Sequence, residues 1–179
     1  MAELTLTTFV SLDGVMQAPG GPEEDTAGAF QHGGWVFPLV DDGMLDEIDA
    51  TFRKASAFVL GRTTYDIFAA HWPKVTDPED RVAAALNALP KFVASRTRRA
   101  FGWNNSAHLA DVANDLPALK ERFPGEIQVH GSAGLAQTLI KHGLIDEYRI
   151  LTFPVVLGDG HAAQGHEARD DVLGQSEKE

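Results

Sequence analysis

Three short apolar runs in this chain end on a glycine, serine or histidine–glycine step and pass at once into a polar turn. They are Leu60-Gly61-Arg62-Thr63-Thr64, Ala94-Ser95-Arg96-Thr97 and His130-Gly131-Ser132-Ala133-Gly134. These residue types suit anion chemistry. A helix N-terminus presents free N–H groups and a partial positive charge, and glycine lets a pyrophosphate approach the backbone closely. An arginine beside such a turn adds a bidentate grip on phosphate. One instance alone is also ordinary turn chemistry, because glycine after a strand is common. Three on one chain, two of them with arginine, point to a phosphate-bearing ligand laid across the ends of parallel strands.

Arg96, Arg98 and Arg99 form the densest basic cluster of a chain whose formal net charge is -11. So acidic a chain repels a polyanion overall and must hold one in a local positive pocket. The cluster suits a cofactor 2′-phosphate, the group that separates NADP from NAD, and it equally suits a solvated basic turn. Trp35, Phe37, Trp72 and Trp103 offer rings for stacking a flat heterocycle, or serve as core and lid packing. The 7 histidines show no His-Glu-x-x-His spacing and no cysteine assists them, so no metal site is expected. No Gly-x-Ser-x-Gly elbow occurs, which leaves acyl transfer unsupported.

To position these turns the chain must alternate strands with helices. Residues 3–10 alternate apolar and hydroxyl side chains, as a half-buried strand does, and 11–24 read as a long loop rich in glycine and proline. Leu45, Ile48 and Phe52 share one face of a helix that starts near Asp42, acidic at its beginning and basic at its end. Ala57–Leu60 reads as a buried strand, followed by a helix opening on a threonine cap. A helix over 82–89, a strand over 91–95 and a helix over 111–123 come next. They lead to a strand over 127–130, a helix over 135–142, and strand-like runs at 147–153 and 155–157. This alternation predicts an α/β domain with a largely parallel sheet over 1–160. Residues 161–179, charged and nearly without large apolar side chains, predict a poorly ordered tail.

Composition removes whole classes of function. With 179 residues and 44% hydrophobic content the chain can bury a core without help. The absence of cysteine excludes disulfide frameworks, zinc ribbons, iron–sulfur clusters and thiolate catalysis. The acidic balance argues against nucleic acid or an anionic membrane as partner. Neither a signal peptide nor a membrane span is visible, so a cytoplasmic enzyme or binding domain is expected.

The chain resembles a known family in four segments. They are Ser11-Leu12-Asp13-Gly14, Gly61-Arg62-Thr63-Thr64-Tyr65 with Trp72-Pro73, Lys91-Phe92-Val93-Ala94-Ser95, and the stretch Ile127 to Gly160. In order and spacing these are similar to the dihydrofolate reductase-like superfamily. The closer likeness is to the C-terminal reductase domain of the bifunctional riboflavin-biosynthesis deaminase/reductase and its stand-alone relatives. The resemblance implies a three-layer domain, with a mixed, mostly parallel sheet of about eight strands, an NADPH site across the strand ends, and often a homodimer. It places Gly61, Arg62 and Thr63 at the cofactor phosphates, and Ser95 and Arg96 at the adenosine end and its 2′-phosphate. Gly131, Ser132, Ala133 and Gly134, continued by Leu135, match the glycine turn on the pyrophosphate and nicotinamide side. Ser11, Asp13 and Gly14 fall near the nicotinamide and substrate.

On this resemblance the chain is an NADPH-dependent reductase acting on a small heterocycle or a ribosylaminopyrimidine. Asp13 and Ser11 are its catalytic candidates, Asp13 orienting substrate or relaying a proton, and Trp35 and Phe37 contact substrate. The simpler reading of Asp13-Gly14 is the turn after the first strand. Without cysteine the deaminase reaction of the bifunctional enzymes is excluded. Folate reduction needs an acid on the first helix, for which Asp41, Asp42, Asp46 and Glu47 are all candidates. A nucleotide-binding dimeric module without turnover is the reading from outside enzymology. Its motive is the chain after Gly160, which lacks the pattern of the two closing strands the family carries there and predicts a missing or altered hairpin.

Overall fold

The computed structural model describes residues 1–160. The tail predicted for 161–179, and the expectation of an altered closing hairpin, lie outside the described residues. Six strands form one sheet: β1 (Leu4–Ser11), β2 (Ala55–Gly61), β3 (Lys91–Ala94), β4 (Ser106–Leu109), β5 (Glu126–His130) and β6 (Glu147–Phe153). The helices are α1 (Asp42–Phe52), α2 (Arg62–His71), α3 (Arg81–Ala88), α4 (Val112–Glu121) and α5 (Ala133–Lys141).

The apolar run in β2 shows why helices cover both faces of the sheet. Ala57 and Val59 join a cluster with Leu116 and Leu119 of α4 and Leu135 and Leu139 of α5. Their neighbours Phe58 and Leu60 face the other way, toward Phe52 of α1, Tyr65 of α2 and Leu86 of α3. All four β2 side chains are fully buried, each burial contributing up to about 2–3 kcal/mol for the larger ones. A strand buried on both faces has no polar side to show in its sequence.

The strand order is β4-β3-β2-β5-β1-β6, and every pairing is parallel. Among the described residues the sheet is therefore wholly parallel and six-stranded, where a mixed sheet of about eight was expected. All strand ends that carry candidate residues consequently lie along one rim. The chain runs outward from β1 to β4, returns to insert β5 between β2 and β1, and ends with β6 beyond β1.

Other differences have local causes. β4 was not anticipated, because four residues at a sheet edge with alternating exposure carry little pattern. α2 does not open on a threonine: β2 runs into it without a loop, Gly61 is its N-cap, and no side chain caps it. Val155–Leu157 forms no strand among the described residues. Val155 and Leu157 pack instead against a third cluster, in which Trp35, Phe30 and Phe153 anchor the long 12–41 connection over β1 and β6.

A polar network seats α1 on the sheet. Arg149 holds Glu126 through two bonds of 2.7 Å, and Gln128, fully buried, donates to Glu126 at 2.9 Å and to the Thr51 carbonyl at 2.7 Å. The Gln128 carbonyl oxygen then faces His130 Nε2 at 3.1 Å, and the imidazole stacks on Phe52 at 4.6 Å. Desolvation, reinforced by the Arg149 charge and opposed by Glu126, lowers the His130 pKa to about 4. This histidine's contribution to stability is present above its unfolded value and is lost as pH falls toward its folded one, since only the unfolded chain then binds the proton. Its share of the loss between about pH 7 and pH 5 should be about 2 kcal/mol, read from urea unfolding, and His130→Phe should remove that share.

Candidate functional site

β2 and β5 are neighbours, yet their connections leave in opposite directions, β2 into α2 on one face and β5 into α5 on the other. This is the switch point at which open α/β sheets bind ligands. Here the two predicted glycine turns meet. Ser132 Oγ accepts from the Gly61 N–H at 3.0 Å and donates to Thr64 Oγ1 at 2.6 Å. A Cβ on Gly61 would sit 3.1 Å from that oxygen and 3.2 Å from Ser132 Cβ, so the approach depends on glycine. Gly131 and Ser132 both adopt left-handed backbone, at φ 58° and 61°, and Gly131 N–H is tied to the Thr7 carbonyl at 3.0 Å.

Helix capping separates this place from the rest of the fold. Asp41, Asp80 and Asp111 cap α1, α3 and α4 through side-chain bonds to first-turn N–H groups. α2 and α5 have no side-chain cap. Their first turns, Arg62-Thr63-Thr64 and Ala133-Gly134-Leu135, thus present backbone donors at the switch point. A Cβ on Gly131 or Gly134 would meet nothing within 4 Å, so the backbone is open to a ligand there. Leu135 puts its side chain into the core and offers only its backbone.

The basic residues divide. Arg62 and Arg98 bind the two oxygens of the same carboxylate, Asp66. Arg98 also lies over the Tyr65 and Phe101 rings, at 5.5 and 5.2 Å. Ser95 Oγ accepts from the Arg98 N–H at 3.0 Å and shapes the turn. Arg96 is exposed and makes no ion pair among the described residues, which leaves its guanidinium available.

At the end of β1, Ser11 is buried and its hydroxyl donates to Asp13 at 2.6 Å. Asp13 also accepts from the backbone N–H groups of Leu157 at 3.1 Å and Gly158 at 2.7 Å. The Ser11 hydrogen bond, then that of Gly158, lowers the Asp13 pKa to about 2. This carboxylate clamps the exit of β1 to the exit of β6, and at neutral pH it has no proton to give. Gly14, at φ 85°, closes the turn onto the Ser11 carbonyl at 3.0 Å. Trp35 is 6% exposed, with Nε1 donating to the Gln17 carbonyl at 2.8 Å and its ring edge-on to Phe153. Phe37 stands 63% exposed on a short 3-10 turn. No group of three or more metal-ligating side chains occurs among the described residues.

The RibD C-terminal domain family matches this chain over residues 2–171. The chain belongs to the RibD C-terminal domain family. It is 28% identical over 160 residues to the uncharacterized protein YyaP of Bacillus subtilis (strain 168), covering 88% of this chain and 77% of that one. A putative riboflavin biosynthesis protein from Shewanella sp. PV-4 superposes with a TM-score of 0.60 at 23% identity, over 91% of this chain and 82% of that one. The diaminohydroxyphosphoribosylaminopyrimidine deaminase/5-amino-6-(5-phosphoribosylamino)uracil reductase of Thermotoga maritima gives 0.58 at 14% identity, over 92% of this chain but 48% of its own. Dihydrofolate reductase from Enterococcus faecalis, complexed with NADP(H) and RAB-propyl, gives 0.56 at 14%, over 89% of this chain and 75% of that one. These structures establish a shared fold.

In this RibD-type domain the structure adds residues that spacing along the chain did not single out. Asp66 was hidden because its partner Arg98 lies 32 residues away, and the role of Thr64, already part of a predicted turn, was hidden because Ser132 lies 68 residues away. The Gly61–Ser132 contact makes a direct test. Gly61→Ala should cost about 1–3 kcal/mol in urea unfolding, the usual penalty of overpacking. Adding Ser132→Gly should recover part of it, giving a coupling above about 0.5 kcal/mol in the double-mutant cycle.

Proposed function

We propose that this chain is an NADPH-dependent reductase acting on a small heterocycle of the ribosylaminopyrimidine type. The observation that carries the reading is the meeting of two uncapped helix N-termini at the β2–β5 switch point, with open backbone at Gly131 and Gly134. Backbone donors and helix dipoles there suit a pyrophosphate. Arg96, exposed and unpaired among the described residues after the β3 end, supplies the charge for a 2′-phosphate. Family membership and the likeness to a reductase of riboflavin biosynthesis and to a dihydrofolate reductase holding NADP(H) support the same reading.

When bound, the nicotinamide supplies hydride, and the protein's part is to orient it against an electrophilic carbon. The Gly61–Ser132 latch and the Gly131–Thr7 bond hold the two cofactor turns in register. The Ser11–Asp13 clamp keeps the β1 and β6 exits together beside them. Because that clamp uses the Asp13 carboxylate, a binding module without turnover is the second reading. We take the protein to be cytoplasmic and its working unit to be a homodimer, the latter on the ground that Tyr148 and Ile150 are 50% and 58% exposed on β6, an edge strand paired to β1 alone among the described residues. No described helix is long and apolar enough to cross a membrane.

Fluorescence titration with NADPH and, separately, NADH tests the cofactor assignment. NADPH should bind more tightly, and Arg96→Ala should remove that preference at a cost of about ten-fold or more in NADPH affinity. Folded protein that binds neither cofactor would overturn the reading. Binding of NADPH without its oxidation by 5-amino-6-ribosylaminouracil phosphates would favour the module.

A further inference from the structure

Lys91 opens β3 fully buried, and it makes no ion pair among the described residues. Its Nζ donates to the Leu86 and Leu89 carbonyls at 2.6 and 2.9 Å and lies 4.4 Å from the centre of the Trp103 ring. Burial lowers its pKa to about 8, so at neutral pH the group is still a cation. We infer that Lys91 is a positioning residue for recognition of the cofactor's 2′-phosphate: through Trp103 it anchors the connection 95–105, whose other end carries Ser95 and Arg96. The ligand in that statement rests on the reductase reading; the anchoring rests on the contacts alone.

A lone buried cation is a costly way to fill space, since a methionine of similar length would pack there without the loss of hydration. What the ammonium adds is two interactions that no apolar side chain supplies. Leu86 lies in the last turn of α3 and Leu89 just beyond it, where helix carbonyls lack intrahelical partners and the dipole is negative. The same charge attracts the face of an indole, the best aromatic partner for a cation. Lys91 therefore joins β3, the end of α3 and the connection at one atom.

The connection needs such an anchor. Residues 95–105 contain no helix or strand, and Trp103 alone among them is buried. An open groove of about 550 Å³ lies between this segment and α2, lined by Ala69 on the helix and by Gly102 and Asn104 on the connection. The connection is thus held at points rather than by continuous packing. Trp103 is one point, its backbone N–H donating to the Tyr65 hydroxyl at 2.9 Å and its Nε1 to Asn87 at 3.0 Å. Arg98 is the other, bonded to Asp66 and lying over the Tyr65 and Phe101 rings, while its N–H closes the turn onto Ser95 Oγ. Tyr65 touches both ends, its ring 6.0 Å from that of Trp103 and 5.0 Å from that of Phe101. Displacing Trp103 therefore disturbs the seat of Arg98 and the turn that presents Arg96.

A chain of contacts becomes a coupling only when energies show it. The test is Lys91→Met, which keeps the length of the side chain and removes its charge and donors. Limited trypsin digestion of the cofactor-free protein should cut after Arg96, Arg98 and Arg99 about ten-fold faster than in wild type, with cutting after Arg53 and Lys141 unchanged. In fluorescence titration NADPH affinity should fall about five- to ten-fold and NADH affinity should stay within about two-fold, since NADH has no 2′-phosphate. Added to Arg96→Ala, Lys91→Met should lower NADPH affinity by less than about two-fold more, because it acts through Arg96. Should Lys91→Met fail to fold, Trp103→Phe, which keeps a ring beside Lys91 and loses the bond to Asn87, should show the same pattern at smaller size.

Equal losses for both cofactors, faster cutting at every site, or unchanged NADPH affinity would overturn the inference and make Lys91 part of the core alone. Any of these, where the wild type prefers NADPH, leaves the reductase reading standing. Wild-type protein that binds neither cofactor removes that reading and the 2′-phosphate role with it. Selective cutting in Lys91→Met then still establishes the anchor, and unselective cutting removes that too.

Discussion

The contact between Gly61 and Ser132 is the constraint on which the rest of this site depends. Two helices leave adjacent parallel strands toward opposite faces of the sheet, and their first turns can share one rim only if the backbones come close. The absence of a Cβ at Gly61 permits that approach, and the Ser132 hydroxyl converts it into two hydrogen bonds, to Gly61 and to Thr64. Ser132 accomplishes this from a left-handed conformation that a residue with a Cβ adopts reluctantly. Backbone strain of this kind, about 1–2 kcal/mol, persists where its surroundings over-determine it. Here the Gly131–Thr7 bond on one side and α5 packed into the core on the other do so.

Around that latch the charged residues are sorted by use. The helices remote from the switch point are capped by aspartates, while α2 and α5 keep their N-termini free of side-chain caps. Asp66 ties Arg62 and Arg98 together and so holds two positive groups near the start of α2 within a chain of net charge -11. The Glu126–Arg149 pair is directed inward, to the buried Gln128 and His130 that seat α1. Bidentate geometry and further hydrogen bonds on the carboxylate make so enclosed an ion pair tolerable.

Much of this was legible along the chain. β6 appears over the residues foreseen, and the other predicted helices and strands, apart from the run at 155–157, fall within a few residues of their places, because apolar runs and periodic faces are local signals. The glycine turns were legible for the same reason. β4 was not, being short and at an edge, and the threonine cap foreseen for α2 gave way to Gly61 because β2 enters that helix without a loop.

What the sequence by itself determined is the inventory: alternating strands and helices, three polar turns after strands, a cysteine-free acidic chain and the motifs of its family. Only the tertiary structure decided how that inventory is used. It made the sheet wholly parallel over the described residues, so that the turns share a rim, and it brought Gly61 to Ser132 across 71 positions. It also engaged Asp13 in a clamp, drew Trp35 into the core and left the Thr7 hydroxyl unpaired beside His130. The physical reason is that turn chemistry and periodicity act between near neighbours, whereas burial, pairing and proton affinity depend on groups that meet only when distant strands are packed together.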